Sequence, residues 1–569
     1  MNQEKLIIAE QAAHVVGLPA TEINCLIEYP PNRDMGDLAL PCFRFAKTLR
    51  KSPQQIAETL RDALDDTGAF DKVETVGGFV NITLNRPQTF SQLLVQSKSG
   101  PEPLFSSNKG TGSTVAIDFS SPNIAKPFSV GHLRSTMIGH SLSRILTAAG
   151  YQVLGINHLG DWGTQFGKII AAYRLWGDEH AVRKDPVRNL FELYVRFHAE
   201  AEEHPELDDE ARMWFKKLED GDEEASSLWQ WFITESLKAF QQTYDRLDVK
   251  FTHVLGESFY NDKMDAVVDE LRTLHLLSQS DGAEVVDLSQ WDMPPCIIRK
   301  SDGATIYATR DLASALYRHA ALGADKLIYV VGAEQTLHFS QVFKVLELMN
   351  KDFAKDCTHV AFGMMKYNGE RLSTRRGKIV YLEDVLERAV AEALKIIDEK
   401  NPQLENKNEV AEAVGIGAVV FNDLKTYRMH DVDFRYEDVL NFDGETGPYV
   451  QYTHARASSV LRKAEQIADD ATIGKVEPNV VSDSEWRLAY QLMQTQEAMD
   501  RAVDNLDPSI LARQILDICH AFNRFYHDEP ILSANTSEER RQRLALTKVT
   551  QQAIGYGLYL LGLHAPTAM

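Results

Sequence analysis

From residue 114 onward, short apolar runs alternate with longer amphipathic stretches, and few architectures accept that alternation. TVAIDF (114–119), QVLGIN (152–157), KLIYVVG (326–332) and HVAFGM (359–364) read as strands, with helices opening near His132 and from Thr164 between them. Strands joined through helical crossovers pair in parallel and need cover on both faces, so the expected class is α/β with an open parallel sheet over 113–380. In the first helix Ile138, Leu142, Ile145, Leu146 and Ala149 recur at i, i+4, i+7, i+8 and i+11, a single buried stripe. Residues near 178–275 look largely helical and interrupt the pattern as an insertion.

The flanks differ. Residues 1–100 mix helical periods with one strand-like run, Val76 to Leu84, bounded by Gly77 and Gly78, and read as an α+β domain. SKSGPEPLFSSNKGTGS (97–113) has the composition of a linker. No strand is expected beyond about 380: 381–448 reads as a helical connector and 449–569 as an all-α bundle. Within the bundle Asp507 and Pro508 open a helix carrying Leu511, Ile515, Ile518 and Phe522, and Thr536 with Glu539 resembles a capping box.

Composition removes several functional classes. No run approaches the ~18 apolar residues of a membrane span. The first residues carry two carboxylates before any long apolar run and do not read as an export signal. The five cysteines form no C-x-x-C pair, which argues against a disulfide framework or a structural zinc and for a reducing cytosol. A net charge of −22 argues against nucleic acid as a partner, but residues 200–224 alone hold twelve carboxylates against three basic side chains. An acidic insertion of that kind coexists with a basic face elsewhere.

The chemistry concentrates after the first strand. DFSSPNIAKPFSVGHLRST (118–136) leaves a strand, crosses a loop and enters a helix. The crevice beyond a strand's carboxyl end is the usual ligand site of an open sheet, and a helix N-terminus there favours phosphate. Gly131 permits close backbone approach, while Lys126 and His132 supply donors to a phosphate whose charge grows during reaction. Taken alone, a Gly-His pair at a helix start is more often a cap, and a cationic run such as YNGERLSTRRGK (367–378) is more often a solvated face.

Together these stretches resemble the arginyl-tRNA synthetases of class I. S-P-N-I-A-K-P-F-x-x-G-H-L-R-S-T looks like the family's first signature, NHLGDWGTQFGK (157–168) like the segment after its second strand, and 367–378 like its mobile second signature. Two positions depart from the general class pattern: Ser129 stands at the first histidine of H-x-G-H, and Thr374 at the last lysine of K-M-S-K. Arginyl enzymes commonly carry a lysine where Lys126 stands, which fits the second departure and leaves the role of Ser129 open.

The resemblance implies a Rossmann-like catalytic domain with a helical insertion, preceded by an added tRNA-contacting domain and followed by a helical anticodon-binding domain. By resemblance the catalytic residues are Lys126, Ser129, Gly131, His132, Ser373 and Arg375, and ATP meets Lys126, Gly131, His132, His338, Arg371, Ser373 and Arg375. Selecting arginine over lysine needs carboxylates that receive a planar, forked guanidinium. The implied pocket has Asp118 and Asp311 on the guanidinium, Tyr307 along the side chain, and Ser121, Asn123 and Gln335 at the polar ends. Without the resemblance, Asp118 reads equally as a strand-end cap and Asp311 as a helix-start acid.

DGETGPYVQYTHARASSVLRKA (443–464) resembles the start of the anticodon-binding domain, where Tyr449, Tyr452 and Arg456 would meet tRNA; core packing of the tyrosines is the competing reading. The expected activity is ATP-dependent formation of arginyl-adenylate and transfer to tRNA(Arg) by a cytoplasmic monomer, with Mg²⁺ entering on the nucleotide and no protein metal ligands. Two alternatives stay open: an impaired relative that senses arginine or tRNA, and a small-molecule nucleotidyltransferase.

Overall fold

The computed structural model describes residues 2–301, 306–367, 369–371, 380–441, 444–467 and 480–569. The chain divides into two compact units, Met1–Phe105 with Arg456–Ala498 and Gln514–Ile554, and Ser106–Ala455 with Met499–Arg513 and Gly555–Met569.

The second unit is built on five parallel strands in the order Cys357–Phe362, Lys326–Gly332, Thr114–Asp118, Gln152–Asn157, His253–Val254. The chain begins in the middle, winds to one edge, then returns beside its first strand and winds to the other. Val115, Ala116 and Ile117 are buried, as the central strand of a sheet covered on both faces requires. Three of the four long strands match the apolar runs to within one residue, the fourth, Cys357–Phe362, begins two residues before the expected HVAFGM, and the α/β class holds.

The helix after the first strand runs Val130–Ala148, two residues earlier than its expected opening, and its predicted stripe is buried. It approaches the sheet closely, because a Cβ on Gly139 would overlap the Phe119 side chain. Ser135 Oγ stitches it down, donating to the Val330 carbonyl (2.7 Å) and accepting from the Ser120 N–H (3.0 Å). On its far side Arg134 is buried beside Asp423 at 2.8 Å and donates to the carbonyls of Gly363 (2.7 Å), His430 (2.8 Å) and Arg428 (3.2 Å). Burial pushes the Asp423 carboxyl above the ordinary carboxylate range, although Arg134 opposes it.

Several expectations are corrected here. The insertion is helical from Glu179 to Arg246, but His253–Val254 then returns to the main sheet; two residues are too few to show a period. Leu277–Ser280, Ala283–Val286 and Cys296–Arg299 form a small antiparallel sheet that the sequence reading missed. Beyond 380, where no strand was expected, Val432–Phe434 pairs in parallel with Met365–Tyr367.

In the first unit Leu38–Pro41, Phe79–Leu84 and Phe70–Val76 make an antiparallel sheet. The single run expected over 76–84 is therefore split by a turn at Gly77, whose φ is +58°. The expected linker is not all linker: Glu102–Phe105 is a helical turn with Leu104 and Phe105 buried. N-terminal and C-terminal segments share this unit's core. Asp37 accepts from Trp486 Nε1 (3.0 Å) and from the Leu84 N–H (2.9 Å), and Glu497 receives Lys5 (2.7 Å) and the Tyr29 hydroxyl (2.6 Å).

Asp423→Ala should leave the buried Arg134 charge unpaired and cost about 3–5 kcal/mol. Thermal unfolding should show a lower midpoint, and an unchanged one would mean that the pair is not a structural anchor.

Candidate active site

The strand order reverses between Thr114–Asp118 and Lys326–Gly332, and a crevice opens beyond their carboxyl ends, where an open sheet binds ligands. The loop 119–129 crosses this crevice with three non-glycine residues at left-handed φ: Ser120 (69°), Ser121 (48°) and Ala125 (59°). Such geometry is unfavourable and persists where neighbours over-determine it. Here the neighbours are identifiable. Ser120 Oγ shares hydrogen bonds with the Tyr244 hydroxyl and Thr136 Oγ1, both 2.8 Å, and Ser121 Oγ donates to Asp118 Oδ1 at 2.8 Å. Gly160 has no room for a Cβ, which would overlap the Asn123 carboxamide, so the second motif packs directly on the first.

His132 and Ser129 form one device. Nδ1 of His132 lies 3.0 Å from both the backbone N–H and the hydroxyl of Ser129. An N–H can only donate, so Nδ1 is the acceptor and the proton of the neutral ring sits on Nε2. Burial, reinforced by the charge of Lys126, lowers the His132 pKa to about 4. The ring is thus a neutral Nε2–H donor near pH 7. Lys126 Nζ stands 5.8 Å from the Tyr194 ring of the inserted helix Pro186–Glu203, and a Cβ on Gly131 would meet nothing closer than Ser129 Oγ at 3.5 Å. Lysine, histidine and an open glycine therefore converge at one helix start.

Acids gather on the other side. Asp118 is buried, but it is not a free carboxylate: its Oδ2 already holds a resident guanidinium, Arg318 Nη2, at 2.7 Å. Asp311 stands in the first turns of the helix Tyr307–Ala320, and His338 Nε2 lies 2.5 Å from its Oδ2. Glu257 was missed in the sequence. Burial raises its pKa to about 7; Arg310 at 3.9 Å pulls it down, while Asp161 and Asp311 add to the rise. Tyr307 opens on this side, 66% exposed, and Gln335 is exposed just past the strand end Gly332.

Arg318 and Glu257 owe their places to tertiary contacts. Glu257 follows the two-residue fifth strand, and no local pattern marks it. Ser373 and Arg375 lie outside the described residues, and of Arg371 only its backbone, in the short strand Glu370–Arg371, is described. Tyr449, Tyr452 and Arg456 lie on the helix Gly447–Ile467. Tyr452 is 41% exposed, and Arg456 Nη1 donates to Asn523 Oδ1 at 2.5 Å.

Comparison with known proteins accounts for nearly the whole chain. Residues 90–436 match the family model described as tRNA synthetases class I (R), catalytic domain. Residues 3–84 match the arginyl tRNA synthetase N terminal domain, and 450–569 the DALR anticodon binding domain. The arginine–tRNA ligase of Alkaliphilus metalliredigens is 50% identical over 556 residues, covering 98% of this chain and 97% of that protein. That of Clostridium perfringens is 48% identical over 568 residues, covering 99% and 100%. The solved arginyl-tRNA synthetase of Thermus thermophilus superposes with a TM-score of 0.84 at 27% identity, covering 99% of each chain. The Plasmodium falciparum structure gives 0.81 at 25%, covering 100% and 98%.

An NMR titration of labelled histidine should find His132 protonating near pH 4, and Lys126→Met should move that midpoint upward by removing a repulsive charge. A wild-type midpoint near the ordinary value of about 6.5 would contradict the burial and hydrogen bonding described.

Proposed function

The chain belongs to the arginyl-tRNA synthetases of class I, and on that premise we propose which of its residues carry each part of the reaction. The protein is an arginine–tRNA ligase that activates arginine with ATP and loads it onto tRNA. The convergence of cationic donors and carboxylates at one strand-order reversal is the observation that carries the assignment.

In the first step the arginine carboxylate attacks the α-phosphate, giving arginyl-adenylate and pyrophosphate; a terminal ribose hydroxyl of tRNA(Arg) then takes the arginyl group. No protein nucleophile is required. Lys126 stabilises the growing phosphate charge, and the Nε2–H of His132 donates to the same group from a ring already held in its tautomer. Gly131 keeps the helix start open, and Ser129 serves as the residue that holds His132. Ser373, Arg375 and Arg371 belong to the second signature, which we assign to the nucleotide phosphates by resemblance alone.

For the amino acid we assign the guanidinium to Asp311 and Glu257, with Tyr307 alongside. Asp118 acts through Arg318 and Ser121 as the floor of the pocket, and Asn123 and Gln335 reach the polar ends. Two partly buried acids, close enough that Asp311 favours protonation of Glu257, with Arg310 at 3.9 Å from Glu257 as the one arginine beside them among the described residues, favour an incoming cation. Mg²⁺ is assigned to the nucleotide phosphates by resemblance, and no protein step runs through it. Tyr449, Tyr452 and Arg456 are assigned to tRNA. A cytoplasmic monomer completes the proposal; five cysteines far apart in sequence and without a C-x-x-C pair support a reducing compartment.

An impaired sensor is the weaker reading, because Ser129 does not leave the first signature empty but anchors its histidine. Charging a tRNA mixture with each labelled amino acid in turn should yield only arginyl-tRNA; incorporation of another amino acid, or none, would overturn the assignment. Lys126→Ala should lower kcat by about 10²–10³-fold with little change in KM for arginine. Because Glu257 binds a guanidinium only when ionised, KM for arginine should fall as pH rises through about 7, and Glu257→Gln should flatten that dependence while raising KM.

A further inference from the structure

Four acids face the pocket side of the crevice, and they differ in how their oxygens are spent. Asp118 gives Oδ2 to Arg318 and Oδ1 to the Ser121 hydroxyl. Asp161 gives both oxygens to Ser258, Oδ1 to its N–H (2.8 Å) and Oδ2 to its hydroxyl (2.7 Å). Glu257 accepts a backbone hydrogen bond from Trp162 and has Arg310 at 3.9 Å. Asp311 is held through Oδ2 alone, by His338 Nε2 at 2.5 Å, and its Oδ1 makes no hydrogen bond among the described residues.

A carboxylate turns about its terminal bond, so a fork-on-fork contact with a guanidinium needs the carboxylate plane set in advance. One donor on one oxygen achieves this. It leaves Oδ1 and the outer lone pair of Oδ2 for the two parallel N–H groups of the ligand. The donor is itself constrained: His338 lies in the first turn of the helix Thr336–Leu348, with its ring edge-on to Phe339 at 5.3 Å. Asp311 and His338 sit on two different helices, so their contact fixes the plane across a tertiary junction rather than within one element. The same bond occupies the histidine nitrogen that a nucleotide contact through Nε2 would require.

We propose that His338 is a positioning residue of the arginine pocket, holding Asp311 in the plane that receives the substrate guanidinium, rather than a contact to ATP. The inference rests on the assignment of Asp311 made above.

Arginine-dependent ATP–pyrophosphate exchange in the presence of tRNA(Arg) tests it. In His338→Ala, KM for arginine should rise about 10- to 100-fold while KM for ATP stays within about twofold, and preference for arginine over lysine should fall. His338→Gln, whose amide can still reach Oδ2, should recover most of the loss; His338→Asn, which is shorter, should not. These two variants carry the test if the alanine variant does not fold. Combined with Asp311→Ala, His338→Ala should add little, since one residue acts through the other. A rise in KM for ATP with arginine unaffected, or effects that add fully in the double variant, would overturn the proposal. Wild-type exchange that proceeded without arginine would instead overturn the functional reading beneath it.

Discussion

The parallel pairing of Thr114–Asp118 with Lys326–Gly332 is the contact on which the rest of the site hangs. These strands lie some two hundred residues apart in the chain, yet their hydrogen-bonded register puts Asp118 opposite Tyr329 and brings both carboxyl ends to one edge. Because strand order reverses at this pair, the segments leaving it diverge and a crevice remains between them. The helix bearing His132, the helix bearing Asp311 and the turn bearing Gln335 all reach that edge. Had Lys326–Gly332 added at the far side of the sheet, the same motifs would have been present without a common site.

Burial then sorts the charges. On the nucleotide side a histidine is kept neutral beside a lysine that remains the formal positive charge, so one group donates a hydrogen bond and the other supplies the field. On the amino-acid side, Arg318 pairs with Asp118 and Arg310 lies 3.9 Å from Glu257, while Asp311 has the ring of His338 beside it and no arginine or lysine within salt-bridge distance among the described residues. A pocket in which every acid had a buried cation of its own would hold no preference for a guanidinium. Arg134 performs a different task with the same chemistry: its contacts to Asp423 and three carbonyls tie the first signature's helix to the segment entering the second signature and to the connector.

Much of this was legible along the chain. The four long strands, the helix stripe from Ile138 to Ala149 and the Pro508 helix follow from periods of two and 3.6, which depend only on neighbours in sequence. The failures share a cause. His253–Val254 and Val432–Phe434 are two and three residues long, and a strand that short exists only because another strand is waiting for it. The run 76–84 was misread because its glycines mark a turn inside it and not an end. Ser129, a departure from the expected histidine, became intelligible once its hydroxyl and N–H were seen to meet the Nδ1 of His132.

By itself the sequence determined the order of elements, the motifs that flank the crevice and the family to which the chain belongs, since spacing and residue type are local properties. Only the tertiary structure decided which carboxylates are free. Asp118 and Arg318 are 200 residues apart and Asp311 and His338 are 27, and no period along a chain reports a contact between groups brought together by strand order. Whether an acid serves a ligand or its own protein is set by what packs beside it, and that is a fact about the fold.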